Sequence, residues 1–335
     1  MRSTPSRLVV AVATFLSLSL VAAACGTDTA TDTEPELEAP APTPAPTPAP
    51  ASPEEPSDGF PVRLDVYGTP FTLESRPERI VSLSPSATEG LFAVGAGPQV
   101  IAADEFSDFP AEAPTTDLSG FTPNIEAIVA YDPDLVVVSY DPGDLVASLD
   151  QADIPVLILD AALDLDDVMR QLAILGEVTG NAAAALELVQ DLEGRIVAAV
   201  AATPELDEPL SYFHLLDETL FTVTSATFVG SVYEMFGLVN VADPADADGS
   251  AFGYPQLSAE FLVDADPDLV FLTSGDVASF ARLPVLGQLR AVDEGTVVEL
   301  APDVSSRWGP RIVDFVEQIA ATVTDVAVGV LALVP

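Results

Sequence analysis

The sequence predicts an α/β protein of two Rossmann-like lobes with parallel sheets, joined by one long backbone helix and enclosing a cleft. Three observations carry that prediction. The segment Asp-Pro-Asp-Leu-Val occurs twice, at 132–136 and 266–270. Each copy opens a continuous apolar, β-branched run bounded by turn residues, which marks a strand buried on both faces of a parallel sheet. Between them, Leu165 to Ala202 carries apolar residues at helical spacing (Val168, Leu172, Leu175, Val178, then Ala185, Leu188, Leu192, Ile196), with a break at Thr179-Gly180-Asn181.

Taken in order, residues 1–24 read as an export signal. Arg2 and Arg7 precede an apolar run that ends in small residues just before Cys25, and no charged stop follows it. Residues 25–59 form a tether rich in Pro, Ala, Thr and acidic side chains, with a Pro-Ala-Pro-Thr repeat from Ala39 to Pro50. Such a segment favours polyproline II at about 3 Å per residue and joins no core. The first lobe spans 60–164. There Arg79 to Leu83 reads as a strand, Ser84-Pro85 opens a helix, and Pro123 to Ala130 is a helix ahead of the first repeated strand. The connecting helix is 165–202, and the second lobe, 203–335, repeats the order of the first. There Thr222-Val223-Thr224 leads to a helix at Ser231 to Gly237, Leu257 to Val263 precedes the second repeated strand, and Leu210 to Leu216 reads as a strand carrying His214. The apolar tail after Ala321, broken by Asp325, is too short to span a bilayer and is expected to finish the last helix.

Composition narrows the function. The chain has 335 residues, a formal net charge of −42, no lysine, one histidine and one cysteine. That charge repels nucleic acid and anionic lipid headgroups. One cysteine allows no internal disulfide, so the core must supply the stability. Nucleophilic catalysis lacks its parts, because there is a single base, His214, and no Gly-x-Ser-x-Gly elbow. Carboxylate pairs carry no weight among 53 acidic residues. A bare transition metal would ask for several His or Cys ligands. The run Asp243 to Gly249 lacks the first ligand and the closing glutamate of an EF-hand loop and is expected to be an acidic surface loop. The chain is therefore expected not to be an enzyme.

Several stretches together resemble the iron-siderophore and vitamin B12 class of periplasmic binding proteins. They are Pro77 to Glu89, Ser107-Asp108-Phe109-Pro110, Asn124 to Ile128, the first Asp-Pro-Asp-Leu-Val strand, and Gly309-Pro310-Arg311-Ile312-Val313, in an order covering roughly Phe60 to Ala321. Val21 to Gly26 resembles the bacterial lipobox, with Ala22 where leucine is usual, which implies a lipid on Cys25. The resemblance implies an exported lipoprotein, held on the outer face of the cytoplasmic membrane by that lipid. As a monomer it would capture a bulky metal chelate and hand it to the permease and ATPase of an ABC importer. In such proteins one glutamate per lobe docks onto permease arginines, and Glu89 and Glu234 are the expected pair. Ser86-x-x-Glu89 and Ser231-x-x-Glu234 also fit a capping box, and either role would put both glutamates at a helix start on the surface.

Aromatics on loops that follow strands are the candidates for the cleft: Phe109, Phe121, Tyr140, Phe252, Tyr254 and Trp308, with Arg307 beside Trp308. Nine arginines remain after residue 25, too few to favour a polyanionic tricatecholate. A cobalamin-type corrinoid or a ferric hydroxamate siderophore is expected instead. Haem stays open through Tyr140, His214 or Tyr254 as an axial ligand, and so does a surface scaffold lipoprotein that has lost transport.

Overall fold

The chain enters the fold through a hairpin that the sequence reading did not assign. Strands β1 (Val62–Val66) and β2 (Thr69–Leu73) pair antiparallel around Tyr67 and Gly68, both at positive φ, as a tight hairpin turn demands. The computed structural model describes residues 59–206 and 208–329, all within one unit, Glu55–Pro335. The export signal, Cys25 and all but the last residue of the tether lie outside the described residues. No helix among the described residues is long and apolar enough to cross a membrane.

The first lobe contains β3 (Ile80–Ser82), α1 (Pro85–Ala93), β4 (Val100–Ala103), α2 (Ile125–Val129), β5 (Leu135–Val138), α3 (Leu145–Asp150) and β6 (Val156–Ile158). Its sheet runs β4-β3-β5-β6, all parallel. All four residues of β5 are buried, which is why the run carries no polar alternation. Two helices follow, α4 (Leu165–Val178) and α5 (Ala182–Ala202), where the sequence predicted a single long connection. Gly180 at φ 72 turns the chain between them, and they pack so closely that a Cβ on Gly176 would lie 2.3 Å from that of Ala185.

The second lobe contains β7 (Ser211–Leu215), α6 (Phe228–Glu234), β8 (Val239–Asn240), α7 (Ala259–Ala265), β9 (Leu269–Leu272), α8 (Val277–Phe280), α9 (Arg290–Glu294), β10 (Val297–Glu299), α10 (Pro302–Ser305) and α11 (Ile312–Ala327). Its parallel sheet runs β10-β9-β7-β8. The two repeated strands, β5 and β9, thus stand in separate sheets, as two similarly built lobes require.

The repeated motif has a structural task in each lobe. The Asp134 carboxylate accepts the backbone N–H groups of Glu78 and Arg79 at 2.8 and 2.9 Å. Asp268 accepts the N–H and hydroxyl of Ser211 at 2.7 and 2.6 Å. Each ties the start of one central strand to the start of its neighbour. Burial works against the charge on Asp268, but the Ser211 hydrogen bonds and Arg290 outweigh it and hold the carboxyl below its usual range.

One apolar core runs through both lobes, from Ile80 and Leu135 by way of Leu172, Ile196 and Phe315 to Tyr212 and Phe271. Residues 322–327 of the C-terminal apolar stretch finish α11, which packs on α5, where Arg195 forks onto Glu317 at 3.0 and 2.9 Å, and residues 330–335 lie outside the described residues. A shared core of this kind resists relative motion of the lobes, because packed interiors deform little.

Candidate functional site

In parallel sheets the chain leaves each strand at its carboxyl end, and the segments leaving there build the site. All four strands of the first lobe contribute. Leu83 to Ser86 follow β3, Asp104 and Phe106 follow β4, Ser139 and Tyr140 follow β5, and Asp160 and Ala161 follow β6. Asp303, Ser306, Arg307 and Trp308 close the space from the second lobe, leaving a cleft of about 780 Å³. Gly120 forms part of the wall because nothing larger fits, since a Cβ there would lie 2.4 Å from the Leu83 carbonyl oxygen.

Four of the seven expected ligand contacts line this cleft: Phe121, Tyr140, Arg307 and Trp308. Phe121 is 66% exposed and Tyr140 42%, high values for rings in a concavity, and such uncovered apolar surface marks a place where something binds. Phe106, which the sequence reading passed over, meets Phe121 edge-on with ring centroids 5.8 Å apart. The criterion of aromatics that follow strands already covered it, three residues beyond β4. Asp104 is buried at the cleft wall, and burial pushes its carboxyl up although Ser107 and the Phe106 N–H hydrogen-bond to it.

Phe252, Tyr254 and again Trp308 line a second hollow of about 340 Å³, walled mainly by the second lobe with Ala161, Ala162 and Leu163 of the first, which shares Ala161, Ser306 and Trp308 with the cleft. Phe252 sits at φ 52 and is 87% exposed. Its loop is held by Asp246, whose carboxylate accepts the N–H groups of Ala251 and Gly253 at 2.7 Å each. The acidic run at 243–249 therefore shapes the aromatic loop. His214 also borders this hollow, fully buried on β7, with Nδ1 2.8 Å from the Tyr233 hydroxyl. Burial presses its pKa down to about 3, so the imidazole is neutral.

Three expectations are corrected. Glu89 is neither at a helix start nor on the surface. The N-cap of α1 is Ser84, which accepts from Ala87 N, and Glu89 lies a full turn further in at 2% exposure. Its carboxylate takes Arg307 Nη1 at 2.9 Å and Arg311 Nε and Nη2 at 2.9 and 2.6 Å, joining the first lobe to the second. Glu234 is exposed, but it ends α6, whose N-cap is Thr227, so neither glutamate belongs to a capping box. Phe109 is not among the residues that line the cleft, and the Arg311 guanidinium lies over one face of its ring, 4.1 Å from the centroid. Arg307 also reaches Asp108 at 2.9 Å and Asp303 at 3.2 Å. Burial opposes its charge, and the bonds to Glu89 and Asp108 prevail. The Arg307 hydrogen bond in turn holds Asp108 below the usual carboxylate range.

The internal repeat points to another glutamate pair. Glu126 and Glu260 each stand six residues before an Asp-Pro-Asp and are exposed in the first turn of α2 and α7. Asn124 and Ser258 cap those helices, accepting from Ala127 N and Phe261 N at 3.1 Å in both lobes. The start of such a helix lies at the carboxyl ends of the strands, on the cleft side of its lobe.

The family described as periplasmic binding protein matches residues 80–304. A protein of Halobacterium salinarum named cobalamin-binding protein is 33% identical over 276 residues, covering 78% of this chain and 73% of its own. Among solved structures, the periplasmic vitamin B12 binding protein BtuF of Vibrio cholerae superposes with a TM-score of 0.62 at 27% identity, covering 74% of this chain and 96% of that one. The periplasmic heme-binding protein RhuT of Roseiflexus sp. shares the fold, with a TM-score of 0.65 at 23% identity over 75% and 99% of the two chains.

Proposed function

From the premise that the chain belongs to the periplasmic binding protein family, we propose that it captures a cobalamin-type corrinoid in its interlobe cleft and delivers it to an ABC permease. One observation carries the choice of cargo. The cleft is walled by exposed rings, and its one arginine, Arg307, is already engaged by three carboxylates, Glu89, Asp108 and Asp303. A large, nearly neutral ring system gains contact area on Phe106, Phe121, Tyr140 and Trp308. A polyanionic tricatecholate meets Asp104, Asp160 and Asp303 instead, with no uncommitted cation to offset its desolvation. Two relatives named for cobalamin or vitamin B12 support the same cargo.

Equilibrium titration of the purified protein with cyanocobalamin, a ferric hydroxamate and a ferric tricatecholate tests this. Cyanocobalamin is expected to bind with Kd of about 1 μM or tighter, worth about 8 kcal/mol. Tighter binding of the tricatecholate overturns the assignment. Delivery rests on Glu126 and Glu260, two carboxylates at equivalent points of two similar lobes, which offer a matched pair of charges to a two-fold symmetric permease. Cys25 carries the lipid and residues 26–59 give the reach from the membrane. Replacing Cys25 with Ala is expected to move the protein from the membrane fraction to the soluble one.

A further inference from the structure

The hollow on the second lobe differs from the cleft it adjoins in one chemical respect, which is that none of its lining residues is charged. At its edge lies an unpaid polar group. His214 is completely buried, and its Nε2 has no hydrogen-bond partner among the described residues. A second orphan, the buried Thr224 hydroxyl, sits next to Val223 of the same lining. Leaving such a group unpaired forfeits its hydration, so buried orphans in a well-packed protein point to a partner that arrives from outside.

The tautomer follows from the neighbour. Tyr233 is also completely buried, and the hydrogen bond its hydroxyl makes is the one to His214 Nδ1. The phenol proton needs an acceptor, and Nδ1 supplies it, so the ring hydrogen is on Nε2. The ring edge turned away from Tyr233 therefore carries an N–H donor, on a residue that borders the hollow.

We infer that His214 Nε2–H, on the wall of this uncharged hollow, donates to the carbonyl oxygen of an amide borne by the cargo, and so selects an uncharged substituent there. A carboxylate in the same place would be desolvated with no cation beside it, because the lining contains neither arginine nor lysine. The Phe252 and Tyr254 rings and Trp308 supply apolar contact around the amide.

This inference rests on the proposed corrinoid cargo, and the test separates the two. The chain has one histidine, so untagged protein labelled with 15N-histidine gives a single imidazole spectrum. On saturation with cyanocobalamin, the Nε2–H resonance is expected to shift while Nδ1 keeps the signature of a hydrogen-bonded acceptor. His214→Leu is expected to weaken cyanocobalamin binding roughly 3- to 10-fold, the worth of one neutral hydrogen bond. Binding with an unmoved Nε2 resonance, as a trapped water alone would give, overturns the role of His214 and leaves the cargo assignment standing. Failure of the wild-type protein to bind cyanocobalamin overturns both. Where His214→Leu fails to fold, the wild-type spectrum still decides.

Discussion

The cleft and the hollow beside it draw on lobes of the same plan, yet they present different chemistry. The first lobe offers exposed rings interleaved with Asp104 and Asp160, and the only cation on that side arrives from the second lobe as Arg307. The second lobe adds Asp303 to the cleft, while the adjoining hollow offers rings around a neutral histidine and no charged side chain. The repeat thus preserves what builds a lobe and not what lines its open end. Asp134 and Asp268 do the same work at the strand starts, and Glu126 and Glu260 occupy the same place on the rims. The segments that leave the strand ends differ between the lobes, as loops set on a rigid scaffold can.

The largest effect expected from breaking that asymmetry concerns Glu89. Glu89→Ala strands Arg307 and Arg311 without their buried partner and is expected to cost about 3–5 kcal/mol of stability, read from the midpoint of urea unfolding. Glu234→Ala, at an exposed helix end, is expected to stay within about 0.5 kcal/mol. Equal losses in the two variants would mean that the interlobe clamp does not hold the lobes.

The symmetric feature is tested next. Glu126→Ala combined with Glu260→Ala is expected to reduce uptake by at least about tenfold, through loss of charge pairs at the permease, with the cyanocobalamin Kd unchanged. Normal uptake in the double variant removes these residues from docking.

A smaller effect is expected for single rings of the first lobe. Phe121→Ala should weaken cyanocobalamin about 2- to 10-fold, the worth of one aromatic contact, whereas Phe109→Ala should leave the Kd unchanged. The reverse pattern would place the cargo on the clamp instead of in the cleft.

The smallest effect concerns pH. Burial raises the Asp104 carboxyl above its ordinary range, so the folded state holds this proton more tightly than the unfolded chain does. Its stabilising contribution is therefore complete below the unfolded value of about 3.9 and is lost as pH rises through the raised folded value. Asp104→Asn should be more stable than the wild type near pH 7, and the advantage should shrink toward about pH 4. An advantage that grows on acidification would reverse the sign of the assignment.

The two-lobe plan was legible in the amino acids alone. Buried parallel strands need unbroken apolar runs, and a duplicated lobe leaves a duplicated motif, so both signals are local and survive without coordinates. The sequence also named most of the rings at the strand ends, because that position follows from topology. The break at Thr179-Gly180-Asn181 was visible too, but the packing of Gly176 against Ala185 showed that it separates two helices. The role of Glu89 emerged from the folded contacts instead. Its partner Arg307 lies 218 residues away, and a carboxylate reads the same in sequence whether it faces solvent or two guanidinium groups. Burial and partner are properties of distant contacts, and those same contacts moved Phe109 out of the cleft, brought Phe106 into it and left His214 with one nitrogen unpaired.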